Sequence, residues 1–171
     1  MTKSKVLSQL KNPKLWLTFV LIAVLTWVLG FYWISQPSKQ ERLNVWLTAD
    51  FQLQPQITNA VFANLEQYGI KKVNAKSYNP NDAYFPQAFS LQAHSIDIYI
   101  LTEEFAQSIY ETKIFRPLNF AVEGTKYVQF DNQNYGVHFV GDYYIFINST
   151  TKHSDQVLSA AVQTLILEAQ Q

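Results

Sequence analysis

The sequence predicts an α/β domain built on a single, mainly parallel sheet flanked by helices, preceded by one N-terminal transmembrane helix. Three observations carry this expectation. Residues 15–34 contain no charge. From Arg42 onward, short runs of β-branched and aromatic residues alternate with stretches of helical periodicity, as they do where crossover helices join parallel strands. About 130 residues remain for that part, enough to bury the core of one domain.

The apolar run reads LWLTFVLIAVLTWVLGFYWI from Leu15 to Ile34. A helix of that length spans about 30 Å, the thickness of a bilayer's hydrocarbon core. Trp16 near one end and Phe31, Tyr32 and Trp33 at the other suit the membrane–water interface. The run is longer than the roughly 7–15 apolar residues of a cleaved signal peptide, and Ser35-Gln36-Pro37 offers no small-x-small cleavage site. A retained anchor is expected. Lys3, Lys5, Lys11 and Lys14 precede the run and no acid accompanies them, which keeps the N-terminus cytoplasmic by the positive-inside rule. The expected organisation is a basic cytoplasmic terminus (1–14), a transmembrane helix (15–34), a linker (35–41) and an extracytoplasmic α/β domain (42–171). The protein is thus expected in the cell membrane as a single-pass chain.

Within the domain, residues 43–48 (LNVWLT) form the first expected strand. Pro55 opens a helix with Ile57, Val61, Leu65 and Tyr68 on one face and Gly69 just past its end. A weaker strand follows at 72–78, and a helix at 86–94 that Pro86 starts. Residues 96–101 (IDIYIL) are the plainest buried strand, running into Thr102-Glu103-Glu104, a cap and two acids that suit a helix start. A hairpin is expected over 127–140 through Asn132-Gln133-Asn134, then a strand at 142–147. The final helix is capped near Ser154 and buries Leu158, Ala161, Val162, Leu165 and Ile166.

Composition excludes several chemistries. The chain has no cysteine, so disulfides, thiol nucleophiles and cysteine-ligated metals are impossible. Thirteen basic residues balance thirteen acids overall, but from Arg42 onward eight basic residues face twelve acids. A body of net charge −4 makes nucleic acid an improbable partner. His94, His138 and His153 lack metal-ligand spacing and read as surface or turn residues. Glu103 and Glu104 are adjacent on a helix, so their side chains diverge and cannot act as a carboxylate pair. The five glycines form no phosphate loop. No enzyme, cofactor or metal is expected.

Several segments resemble the extracellular solute-binding proteins of ABC importers, the sugar-binding type in particular. Arg42-Leu43-Asn44-Val45-Trp46 is similar to their first strand, and His94-Ser95-Ile96-Asp97 with the apolar run after it to their third. Phe115-Arg116-Pro117-Leu118 and Tyr135-Gly136-Val137 resemble phrases that follow in the same order. Residues 144–158, through Asn148, Lys152-His153-Ser154 and Val157-Leu158, resemble the strand and helix that return to the first lobe. The resemblance covers most of 42–167. It implies one lobe of a periplasmic-binding-protein-like fold. The family's second lobe normally lies between the Tyr-Gly-Val hairpin and the return strand, where this chain has only Val140-Gly141-Asp142.

In open α/β sheets, ligands sit beyond the carboxyl ends of the strands. The residues expected there are Thr48, Asp50, Asn79, Thr102 and Glu103, with Tyr135 of the hairpin nearby. Hydroxyls, an amide, carboxylates and an aromatic ring form a sugar-contacting set. The same residues also serve as turn and cap residues. The function expected is a membrane-anchored, solute-binding-like accessory domain associated with a carbohydrate ABC importer. Its partners are the membrane, the importer's permease or another membrane protein, and a weakly bound sugar. The alternative is a non-catalytic assembly subunit that docks a membrane protein and has lost its ligand.

Overall fold

A computed structural model describes residues 13–49 and 51–170. The chain divides into two units, with the boundary between Gln36 and Pro37. The first unit is helix α1 (Pro13–Ser35), with an 18-residue stretch of mean hydropathy 2.2 and no buried residue. It is long and apolar enough to cross a membrane, and a signal sequence near an N-terminus shares that length and composition. Its two threonines keep their hydroxyls inside the helix. Thr18 donates to the Lys14 carbonyl (2.9 Å) and Thr26 to that of Ile22 (2.8 Å), so neither presents an unpaired donor to an apolar medium. Lys3, Lys5 and Lys11, which carry most of the expected orientation, lie outside the described residues.

The second unit contains β1 (Arg42–Thr48), α2 (Pro55–Leu65), β2 (Lys72–Tyr78), α3 (Phe85–Gln92), β3 (Ile98–Thr102) and α4 (Glu103–Ile109). There follow β4 (Phe115–Arg116), β5 (Tyr127–Phe130), β6 (Gln133–Val140), β7 (Tyr143–Asn148) and α5 (Asp155–Ala169). One sheet runs β2-β1-β3-β7-β6-β5, with β4 beside the end of β7. The expectation of a mainly parallel sheet is corrected here: the sheet is mixed. Only β1–β2 and β1–β3 are parallel, and the other four pairings are antiparallel.

Two tight turns cause this. Asp131 and Asn132, at φ 48° and 62°, join β5 to β6, the double left-handed turn that hairpins favour. The loop is therefore one residue earlier and shorter than expected. Gly141 (φ 55°) and Asp142 join β6 to β7. A two-residue connection can only make an antiparallel neighbour, since a parallel return needs a crossover of a dozen or more residues. β7 arrives this way and inserts between β6 and β3.

Strand alternation sends two sets of side chains to opposite faces. On one face Leu43, Val45, Leu47, Ile98, Ile100, Val137, Phe139, Ile145 and Ile147 pack against α2 and α5, which contribute Val61, Leu65, Leu158, Ala161, Val162, Leu165 and Ile166. On the other, Trp46, Tyr99, Leu101 and Phe146 pack against Phe85, Phe89 and Phe105. Aromatic pairs dominate this second core: Trp46 stacks on Tyr78 at 3.8 Å, and Tyr99 meets Phe115 edge-on at 5.7 Å. Gly136 belongs to the same face, where a Cβ would stand 2.6 Å from the buried ring of Phe146. The ring fills the space a side chain would need.

At the base of the sheet a buried polar network joins its two halves. Asn148 is fully buried, and its Nδ2 donates to the carbonyls of Ala93 and Ile96, both at 2.7 Å. Its Oδ1 accepts from the Thr150 N–H (2.9 Å) and its backbone N–H donates to the Asp97 carbonyl (3.0 Å). Asp97 accepts from the Asn44 N–H (2.8 Å) and the Thr151 hydroxyl (2.7 Å). Tyr99 donates to the Ala93 carbonyl at 2.6 Å. Burial first, and the Asp97 carboxylate second, push its hydroxyl well above the usual tyrosine range. Beside this network, Glu41 accepts from the Ser38 N–H and pairs with Lys71. The Lys71 ammonium first, and the Ser38 N–H second, hold its carboxyl down to about 2.

Asn148→Ala removes the only side-chain donor to the Ile96 carbonyl among the described residues and uncaps Thr150, and should cost about 2–4 kcal/mol in a urea melt; a cost within about 0.5 kcal/mol of zero contradicts the network's role. Gly136→Ala should cost about 1–3 kcal/mol, and Phe146→Leu should be less harmful in the Gly136→Ala background than alone. Strict additivity of the two would show that ring and glycine are not coupled.

Candidate functional site

β1 and β3 are adjacent and parallel, yet the chain leaves them toward opposite faces, β1 to α2 and β3 to α4. Ligands of open α/β sheets lie beyond the carboxyl ends of the strands, and here the lined space is at the end of β3 on its β7 side, with no residue of β1 in its lining. Thr102 ends β3 there. Its Oγ1 accepts the Phe105 N–H (3.3 Å) and caps α4, while Glu103 and Glu104 occupy the first turn with their side chains in solvent. Beside them stands the turn from β6 to β7. His138 fixes that turn by donating from Nε2 to the Gly141 carbonyl (2.9 Å), and its ring meets Tyr144 edge-on. Asp142 is thereby held next to α4.

These elements enclose an open cleft of about 490 Å³, lined by Thr102, Glu103, Glu104, Gln107, Asp142 and Tyr144. Among the described residues, none of its three carboxylates is paired with a cation. The lining therefore offers strong acceptors, one amide that both donates and accepts, two hydroxyls and one aromatic ring. A ligand rich in hydroxyl donors suits such a surface, and an anion does not. No group of three or more His, Asp or Glu side chains that could hold a metal occurs among the described residues.

The six residues expected at the site part ways. Thr102 and Glu103 share the cleft. Thr48 is 3% exposed, and its hydroxyl accepts from Trp46 Nε1 (3.0 Å), tying down the second core. Asn79 is an exposed turn residue whose Oδ1 accepts the Asn81 N–H (2.9 Å). Asp50 lies outside the described residues. Tyr135 is at the other end of the sheet, five residues and about 17 Å of strand from Val140. There it lines a separate cavity of about 400 Å³ with Tyr110, Glu111, Lys113, Phe115 and Asp131. The Tyr110 hydroxyl donates to Asp131 (2.7 Å) and lies 3.5 Å from that of Tyr135. The contact with Tyr135, then that with Asp131, raises the Tyr110 pKa.

Glu104, Gln107, Asp142 and Tyr144 were not expected at the site. The available signal was the short Val140-Gly141-Asp142 connection, which has to lie at a strand end.

The histidines also separate. His138 serves a turn as expected, but the His153 side chain is 6% exposed. Its Nε2 donates to the Arg42 carbonyl (2.9 Å) and lies 3.7 Å from Asp97 Oδ2. With Thr151 this group has the residue types of a catalytic triad. The connectivity differs, because the hydroxyl donates to the carboxylate and no imidazole nitrogen receives its proton. The set braces the base of the sheet.

Compared with known proteins, the chain matches no family model, no curated protein and no solved structure.

Proposed function

We propose that this chain is a membrane-tethered, non-catalytic binding module of the solute-binding-protein type, working through the strand-end cleft. One observation carries the reading: unpaired carboxylates, an amide, hydroxyls and a tyrosine ring converge at the carboxyl end of β3, beside the turn from β6 to β7. In this reading α1 is retained as an anchor, its basic end stays in the cytoplasm and the body lies outside. The ligand is a polyol or sugar, whose hydroxyls donate to Glu103, Glu104 and Asp142 while a C–H face lies on Tyr144. The body then acts as an accessory to a carbohydrate ABC importer, the partner implied by the family resemblance.

The cleft's shape favours weak binding. A tightly held small ligand buries roughly 70–90% of its surface, and here the β6–β7 turn is only two residues long where the family resemblance implies a closing lobe. That openness is also the observation favouring a second reading, in which the same face docks a membrane protein and binds no solute.

NMR titration of the full chain in detergent micelles with a panel of neutral sugars tests the first reading. The expected dissociation constant is about 1 mM, worth about −4 kcal/mol, with shifts confined to residues 102–107 and 141–144. Glu103→Gln and Asp142→Asn should each weaken binding about tenfold or more and cost no more than about 1 kcal/mol of stability, the part a carboxylate supplies at a helix start or turn. Sugars that shift nothing in the cleft contradict the solute reading. Loss of co-purification with a permease in the same two variants would then favour the docking one.

A further inference from the structure

We propose that the outer edge of β2 is a docking strand for an extended segment in which acidic and apolar residues alternate. β2 ends the sheet. It pairs with β1 in unbroken register from Lys72 to Tyr78, and nothing among the described residues pairs with its other side. The Ala49 N–H donates to the Tyr78 carbonyl (3.1 Å), so the backbone polar groups of Tyr78 turn toward β1. By strand alternation the N–H and C=O groups of Val73, Ala75 and Ser77 turn outward. They form a ready ladder for one more strand.

The opposite edge shows what protection looks like. β5 is four residues long and its register is broken between Val128 and Gln129. β2 has seven residues and no proline, glycine or bulge. Its sole protection is charge, and that charge selects the occupant. Three of the eight basic residues beyond residue 41 fall within Lys71–Lys76. Lys71 is paired with Glu41, while Lys72 and Lys76 are exposed and make no ion pair with a described residue. A second copy of β2 would bring more lysine to this edge, whereas carboxylates opposite Lys72 and Lys76 would be attracted.

The other face presents the apolar side chains of β2 itself. Val73 and Ala75 are half-buried and pack against the core on the α2 side. There an open cavity of about 680 Å³ lies between the strand and the start of α2, of mixed lining: Leu53 and Pro55 are apolar, Gln52, Thr58 and Asn59 polar. An added strand would direct alternate side chains into it. β1 separates β2 from β3, so this inference stands apart from the reading of the cleft.

Hydrogen exchange of the full chain in detergent micelles tests it, using as probe a blocked seven-residue peptide of alternating valine and glutamate at about 1 mM. The amides of Val73, Ala75 and Ser77 should exchange freely alone and slow about tenfold or more with this peptide. A valine–lysine peptide should not slow them. In the Lys72→Glu/Lys76→Glu variant, which alters only exposed side chains, the preference should reverse. No slowing with the glutamate peptide overturns the proposal, as does equal slowing by both peptides. Protection that grows with protein concentration in the absence of peptide also overturns it, because the occupant would then be a second copy.

Discussion

Asn148 ends β7 at the seam between the parallel and antiparallel halves of the sheet, and its buried carboxamide fixes the spacing of both. The chain between α3 and β3 must turn sharply there, which points the carbonyls of Ala93 and Ile96 inward. Buried carbonyls without donors are costly, and a primary amide is the one uncharged side chain offering two N–H donors and an acceptor together. Asp97 completes the arrangement from the β3 side, binding the Asn44 N–H of β1 and the Thr151 hydroxyl. His153 reaches back to Arg42 from just before α5. Three strands and a helix start are thus joined by hydrogen bonds whose partners lie far apart in sequence. No buried side-chain polar atom among the described residues lacks a partner.

Fixing β7 at its base has a consequence at its other end. The strand runs upward from that seam, so Tyr143 must lie opposite Thr102 and the Gly141–Asp142 turn must come level with the start of α4. Asp142 and Tyr144 reach the cleft because β7 sits between β3 and β6. The cleft's acidity follows from two local needs that happen to converge. Glu103 and Glu104 suit the positive end of α4, and Asp142 suits a tight turn.

The sequence made most elements legible because their signals are local. Pro55 and Gly69 bracket α2 and its trailing turn, Ser154 caps α5, and IDIYIL reads as a buried strand with only its first two residues misassigned. What it hid was pairing. A hairpin signal gives the direction of β6 and β7 relative to one another but not the strand beside which β7 inserts. The sheet therefore looked parallel from the crossover pattern of its first half. β4, two residues long, is a strand only because the end of β7 lies beside it. At the site the same division holds. Thr102 and Glu103 could be placed from a cap motif, whereas Asp142, Tyr144 and Gln107 depend on a long-range neighbour. Tyr135 was drawn toward the cleft by its place in the hairpin, but β6 runs parallel to β3 and puts its first residues at the opposite end.

The β7 seam makes the described body, residues 37–170, one cooperative unit. Native-state hydrogen exchange of the full chain in detergent, followed through increasing urea, tests this most directly. The amides of β1, β3, β6 and β7 should converge on a single opening free energy equal to that of global unfolding. If β6 and β7 open at markedly lower urea while β1 and β3 stay protected, the hairpin half is an appendage and the seam does not unify the fold.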